Sequence, residues 1–224
     1  MRSLDDLLAA SKWAGALPPE QLQRVRSTII VRDLQPGCYA CHKGDPANMW
    51  VGVVDGLVKL SSLSEAGKSV TFAAAPFNSW FGEGSVLKRE TRKYDVVALR
   101  ESRVALMPEA TFFLLLETSI PFNRFILTQL NERLGQLMGA IEHDRLLEPE
   151  ARVARTIANM MHPQLYPGHE KCIEISQDEL GHLVGASRQR ISQALQVLEK
   201  SGLIKVQYRM ITVLDIDGLR SFGS

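Results

Sequence analysis

Residues 174–214, EISQDELGHLVGASRQRISQALQVLEKSGLIKVQYRMITVL, decide the architecture of this chain. Ser176 followed three residues later by Glu179 is a capping box that opens a helix. Leu180, Leu183 and Val184 line one face of it. Gly185 stands where the chain must turn, since glycine accepts the positive φ such turns need. Ser187 caps a second helix, in which Ile191, Ala194, Leu195 and Leu198 share one side at helical spacing. Arg188, Gln189, Ser192, Gln193 and Gln196 share the opposite side, which carries no aliphatic residue. Arginine can grip a guanine edge with two hydrogen bonds, and glutamine can do the same for adenine. Arg190, at the flank, is better placed for phosphate. Gly202 ends the helix. Leu203–Val206 and Met210–Leu214 then read as two strands joined by Gln207-Tyr208-Arg209. Helix, turn, helix and wing in that order predict a winged helix-turn-helix whose second helix enters the major groove of double-stranded DNA.

The 224 residues suffice for two modest domains, each with a core. The net charge is only +1, and from Ala151 onward 9 Lys and Arg face 7 Asp and Glu, so helix geometry rather than charge carries the DNA inference. No apolar run approaches about 18 residues, and the N-terminus, MRSLDDLLAASKW, lacks a signal-peptide core. A cytoplasmic protein without membrane attachment is expected. Three cysteines, an odd number, argue against a disulfide framework. Cys38 and Cys41 have C-x-x-C spacing, but they fall in a predicted strand, where residues three apart point to opposite faces. They are expected to be structural, with Cys172 alone, His42 exposed and no metal site. The five histidines, at 42, 143, 162, 169 and 182, are scattered. With no nucleophile–base pairing, metal spacing or Walker-type loop, no catalytic residues are expected. Phosphodiesterase activity that disappeared with Glu83→Ala would be the sign of a remote enzymatic alternative.

Residues 3–27 suggest two short helices interrupted at Pro18-Pro19. From Thr28 to Met107, short runs of Val, Ile, Leu and Phe are divided by turn signals at Pro36-Gly37, Gly44-Asp45, Asp55-Gly56 and Ala66-Gly67. Asp55-Gly56, between Trp50–Val54 and Leu57–Leu60, predicts a hairpin, and the close spacing of strands predicts a small antiparallel barrel or sandwich. Trp80-Phe81-Gly82-Glu83-Gly84 interrupts the pattern. Its glycines let backbone amides converge on an anion, and Arg92, nine residues after Glu83, could meet a phosphate. The plainer alternative is a turn and a surface charge.

Residues 121–147 carry a helical pattern about seven turns long, with Ile126, Leu130, Leu134 (or Leu137) and Ile141 on a stripe. Such a stripe packs on its own barrel or on another helix. Its length exceeds what one small barrel covers, so a homodimer is expected. The hinge lies near Leu147–Pro149. The predicted class is α+β: an N-terminal antiparallel β-barrel domain over 1–117, a dimerisation helix over 118–147, and a winged helix-turn-helix domain over 148–224.

This ordered set resembles the cyclic-AMP receptor and fumarate–nitrate regulator superfamily of bacterial transcription factors over about residues 15–222. The residues that carry it are Pro36-Gly37, Gly44-Asp45, Val54-Asp55-Gly56, Phe81-Gly82-Glu83, the long helix and the 176–214 reader. The resemblance implies that the barrel is a cyclic-nucleotide-binding-like jelly roll. In cyclic-AMP-binding members a Gly-Glu turn and an Arg-Ser pair hold the ribose and cyclic phosphate. That implies Gly82, Glu83, Gly84 and Arg92 as effector contacts, with Lys93 where the serine is expected and the segment between one residue short. Leu137 and Met138 stand where a Thr-Ser pair meets the adenine, and they supply no hydroxyl. A cyclic nucleotide or another small anion is the implied effector. The clustered N-terminal cysteines of the iron–sulfur branch are absent before Cys38. Nothing marks a haem ligand, with His42 and His143 the residues left open.

In the reading helix the family uses Arg, Glu and Arg. Arg188 matches the first, Gln189 replaces the glutamate that accepts from cytosine, and Gln193 replaces the second arginine. The half-site should therefore keep a guanine and depart from the cyclic-AMP receptor's at its neighbours. The leading expectation is a homodimeric regulator on a near-palindromic operator, gated by an effector. RNA polymerase is a further expected partner whose contacts have no readable signature. The alternative is an effector-independent regulator in which Lys93 fills the phosphate site with its own charge.

Overall fold

The computed structural model describes residues 1–63, 69–167 and 171–223, apart from the side chains of residues 143–146. The Ala66-Gly67 turn, His169 and the His143 side chain lie outside the described residues.

Three helices open the chain, α1 (Leu4–Ala10), α2 (Lys12–Gly15) and α3 (Pro19–Thr28). That is one more than expected. Ser11 divides the first two, its extended backbone ending α1 while its hydroxyl donates back to the Leu7 carbonyl at 2.7 Å. Eight strands follow: β1 (Ile30–Leu34), β2 (Tyr39–Cys41), β3 (Met49–Asp55), β4 (Leu57–Leu63), β5 (Ser69–Pro76), β6 (Trp80–Phe81), β7 (Asp95–Ala98) and β8 (Ser102–Pro108), with α4 (Glu83–Leu87) between β6 and β7. They form two four-stranded antiparallel sheets, ordered β1-β8-β3-β6 and β2-β7-β4-β5. Val51, Val53 and Phe81 of the first sheet meet Val58, Leu60 and Val96 of the second in one core. The unit is a two-sheet jelly roll rather than a closed barrel.

Strand β3 is buried on both faces, which explains its near-continuous apolar run. Val51 and Val53 point between the sheets. Trp50 and Val54 point outward into a second core with Trp13, Trp80, Phe112 and Phe122. Trp50 and Trp80 stack with ring centroids 4.4 Å apart. A Cβ on Gly52 would come within 2.9 Å of the Trp80 indole, so only glycine lets that ring lie flat on the strand.

The Asp55-Gly56 turn does not make the expected hairpin. Strand β3 pairs with β6 and β8, whereas β4 pairs with β5 and β7, so this turn carries the chain from one sheet to the other. Gly56 has φ +88°, and a Cβ there would stand 2.6 Å from the Glu101 carbonyl oxygen. The Leu57 amide donates to the Ser102 hydroxyl at 3.1 Å, which fastens the crossover to β8. The hairpin of this region is β4–β5 instead.

Helices α5 (Glu109–Thr118) and α6 (Ile120–Leu146) lead out of the sandwich. The apolar stripe foreseen on α6 divides. Ile126 is buried and Leu130 half-buried against the chain's own aromatic core. Ile120, Leu127, Leu134 and Ile141, each seven residues from the next, are 57–69% exposed. The reader contains α7 (Pro149–Asn159), β9 (Cys172–Glu174), α8 (Gln177–Val184), α9 (Arg188–Lys200), β10 (Ile204–Gln207), β11 (Met210–Val213) and α10 (Ile216–Ser221). Its core gathers Ile157, Ile173, Leu180, Ile191, Leu195, Leu198 and Ile211, and takes in Leu57 and Ala74 from the sandwich. Among the described residues no single helix is long and apolar enough to cross a membrane.

Candidate nucleic-acid interface and effector turn

The reader is built as its sequence dictates. The Ser176 hydroxyl accepts from the Glu179 amide at 3.2 Å, and the Glu179 carboxylate accepts from the Ser176 amide at 2.6 Å, closing the capping box of α8. Gly185 ends that helix in the left-handed conformation. The Ser187 hydroxyl then accepts from the Arg190 amide at 3.4 Å and starts α9. Ile191, Ala194, Leu195 and Leu198 are buried, while Arg188, Gln189, Arg190, Gln193 and Gln196 are exposed and Ser192 is half-buried. Val197, beside Arg190 at the flank, is the exposed aliphatic of this helix. Arg188 Nη1 stands 3.8 Å from Asp178 Oδ2, both at the surface, so its guanidinium is loosely held. The wing turn is tighter than foreseen. Gln207 pairs with Met210, leaving Tyr208 and Arg209 at the tip, with Arg209 at φ 55° and Tyr208 92% exposed. Strand β9 adds a third strand to the wing. Its three residues are too few to show an alternating pattern in the sequence.

The candidate effector turn lies on the sandwich. Gly82 has φ +89°, and a Cβ there would collide with Nη1 of Arg92, so the glycine lets the guanidinium lie against the turn. Arg92 is 4% exposed, and its Nη2 donates to the Met49 carbonyl. Its Nε and Nη1 find no partner among the described residues. Glu83 is 1% exposed. Its Oε1 accepts from Arg133 Nε at 2.8 Å, and its Oε2 has no partner among the described residues. Arg133, on α6, also donates through Nη2 to the Trp80 carbonyl at 2.6 Å, beside Gln129 Nε2 at 2.7 Å. Burial works against the Arg133 charge, and the Glu83 carboxylate with the Tyr166 and Tyr94 hydroxyls more than offsets it, so its pKa lies above the ordinary value. The Tyr94 hydroxyl is pushed up by burial and then by Glu83, so it stays protonated.

Three of the residues implied by resemblance lie elsewhere. Lys93 points to solvent, with its ammonium 3.1 Å from Glu90, and does not fill the phosphate site. Arg92 and Lys93 lie in the bend before β7, where Arg92 is buried and Lys93 is exposed. Leu137 and Met138 stand exposed on the open side of α6. Leu137 lines a cleft of about 480 Å³ between α6, β5, α7 and α8. Arg133 and Gln129 were not visible in sequence, because nothing local links them to a turn about fifty residues earlier.

Cys38 precedes β2, outside the strand expected to hold it, and is exposed. Cys41 is half-buried, and burial raises its thiol pKa, which keeps it unreactive. Cys172 is exposed, with Sγ 3.6 Å from the Thr212 hydroxyl. His42 is exposed and stacks on Tyr39 at 4.2 Å. Among the described residues no three His, Cys, Asp or Glu side chains converge on a metal position.

Residues 31–119 match the cyclic nucleotide-binding domain family, and residues 151–222 match the Crp-like helix-turn-helix domain family. The chain belongs to the cyclic-AMP receptor and fumarate–nitrate regulator superfamily. Within it, the chain is 24% identical over 180 residues to the cAMP-activated global transcriptional regulator CRP of Haemophilus influenzae, covering 77% of this chain and 78% of that protein. It is 26% identical over 175 residues to the transcriptional regulator SdrP of Thermus thermophilus, covering 76% and 82%. Among solved structures, FixK2 from Bradyrhizobium japonicum shares the fold with a TM-score of 0.72 at 15% identity, covering 88% of this chain and 98% of that one. The protein is a DNA-binding transcription regulator with a cyclic-nucleotide-binding domain, and the superfamily members it matches are regulators, not enzymes.

Proposed function

We propose that the regulator binds a near-palindromic operator as a homodimer joined along α6, gated by a small anionic effector in the Gly82–Arg92 turn. The observation that carries the gate is a pair of unpartnered buried groups in one place, Glu83 Oε2 on one side and Arg92 Nε and Nη1 on the other. A buried polar atom without a partner costs about 1–3 kcal/mol, and both groups belong to the same turn, since Arg92 lies against Gly82, the neighbour of Glu83. A ligand that donates a hydroxyl to Glu83 and offers an anionic oxygen to Arg92 satisfies both. A cyclic nucleotide has that combination, and the H. influenzae relative is described as cAMP-activated. Gly82 keeps the backbone close to Arg92, Gly84 follows it in the turn, and Lys93 sits outside this contact set.

The dimer rests on the four exposed residues Ile120, Leu127, Leu134 and Ile141. A strict seven-residue spacing is the seam of a left-handed pair of helices. Leu137 and Met138 adjoin that seam, so in the pair they face the partner helix. On DNA, Arg188, Gln189, Ser192, Gln193 and Gln196 face base edges, and Ser187 and Arg190 face phosphate. RNA polymerase is the further partner such a regulator engages. The domains of this reading are the sandwich over 1–117, the dimerisation helix over 118–147 and the reader over 148–224.

Calorimetric titration with cyclic AMP and cyclic GMP, using Arg92→Ala as control, tests the gate. Micromolar binding lost in Arg92→Ala is the expected result. Absence of binding, together with operator affinity unchanged by either nucleotide, moves the effector to another small anion or to none, the latter being a regulator controlled by its abundance.

A further inference from the structure

We infer that Arg100 is a positioning residue for operator reading, seating the helix-turn-helix on the sandwich of its own protomer. Arg100 lies in the turn between β7 and β8. Its guanidinium crosses to the reader and meets Glu179 as a fork, Nε to Oε1 at 2.9 Å and Nη2 to Oε2 at 3.1 Å. Nη2 also donates to the Glu174 carbonyl at 2.7 Å, and Nη1 stands 3.0 Å from the Glu174 carboxylate. The Arg100 and Glu179 side chains are 16% and 8% exposed, so this pair is largely withdrawn from water. The Glu174 carboxylate is surface-exposed and adds little.

Glu179 is the same carboxylate that caps α8 through the Ser176 amide. Arg209 of the wing tip stands 3.8 Å from its Oε1. One arginine of the sandwich therefore reaches the end of β9, the cap of α8 and, through Glu179, the wing. Leu57 and Ala74 enter the reader's core as part of the same docking. A planar fork fixes orientation as well as distance, which a point charge does not.

The docked arrangement leaves Arg188, Gln189, Gln193 and Gln196 exposed, so it is compatible with a bound duplex. In a dimer, the separation of the two reading helices is then set by the sandwiches on which the readers sit and not by the 147–148 link alone. This inference rests on the dimer proposed above.

The test compares two duplexes taken from a wild-type selection on random DNA, the full two-half-site sequence and a single half-site. Arg100→Ala is expected to lose about tenfold on the full site, a part of the roughly 10²–10⁴-fold avidity gain that linked sites can supply, forfeited when geometry loosens. Half-site affinity should stay unchanged. Arg100→Lys, which keeps the charge without the fork, is expected to lose less, and it carries the test if thermal melting shows Arg100→Ala unfolded. Equal losses on both duplexes overturn the inference, because Arg100 would then only hold the reader together. No loss on either also overturns it. If the wild type itself gains nothing from the second half-site, the dimer reading fails first and takes this inference with it.

Discussion

Single positions in this regulator are constrained by what lies a few ångströms away. Gly82 combines φ +89° with an arginine guanidinium where its Cβ would go. Gly82→Ala should therefore cost at least about 1 kcal/mol from the left-handed backbone alone, and displace Arg92 as well. Urea unfolding should show the lower midpoint, and calorimetry should show any turn ligand lost; an unchanged midpoint would mean the backbone there is not left-handed. Position 189 constrains recognition instead. By the resemblance, glutamine stands where a glutamate meets cytosine, and in the fold Gln189 stands on the exposed face of α9. Gln189→Glu is expected to move the selected half-site toward cytosine at one base pair, by about 1–3 kcal/mol. Competition binding with duplexes differing at that pair reads the change, and identical preferences in both proteins would remove Gln189 from the base contacts. The exposed placement of Arg188 and Gln189 at the start of α9 was legible in sequence because a cap, a turn and helical spacing are local signals. Arg100 and Arg133 were not, since each acts on a carboxylate 79 or 50 residues away.

At the scale of an element, α6 serves two surfaces at once. Ile126 faces the sandwich and Leu134 faces away from it, so equal apolar character has unequal consequences. Ile126→Ala should destabilise the fold by about 2–5 kcal/mol, the cost of emptying a packed site. Leu134→Asp should leave the melting temperature of the protomer nearly unchanged and abolish the dimer. Sedimentation at micromolar concentration decides this; a Leu134→Asp protein that remains dimeric moves the interface off α6. The sequence displayed the apolar residues of this helix but not their division, because a seven-residue seam and a core-facing stripe overlap within one 27-residue element. The same limit explains the Asp55-Gly56 turn. A turn signal states that the chain reverses, and only the pairing of β3 with β8 and of β4 with β7 shows that it reverses between sheets. The winged reader was legible nearly whole because its helices are capped and its core face is periodic.

Over the whole molecule, effector turn, long helix and reader are continuous, since Glu83 bonds to Arg133 of α6 and Arg100 bonds to Glu179 of α8. Contact alone does not make a switch. An effector shifts the molecule toward DNA only by its differential affinity for two arrangements, and the resulting coupling is reciprocal. If the turn ligand strengthens operator binding by some factor, the operator must strengthen ligand binding by the same factor, within about 5–150-fold for ordinary coupling energies. Titrating ligand into free and operator-bound protein, and DNA into free and ligand-bound protein, gives both factors from one set of solutions. Two equal factors above one establish a gate running through this frame. Two factors of one mean that the ligand, however tightly held by Arg92, leaves the readers where it found them. Unequal factors break a closed thermodynamic cycle and point to a second binding event, such as a change of oligomeric state on DNA. Since net charge is only +1, the electrostatic part of operator affinity comes from local side chains. Arg190→Ala should accordingly lower the salt slope of operator binding by about one per protomer without changing the preferred sequence. The ligand coupling should survive that change, because Arg190 is exposed on α9 and, among the described residues, takes no part in the bonds that join the reader to the sandwich.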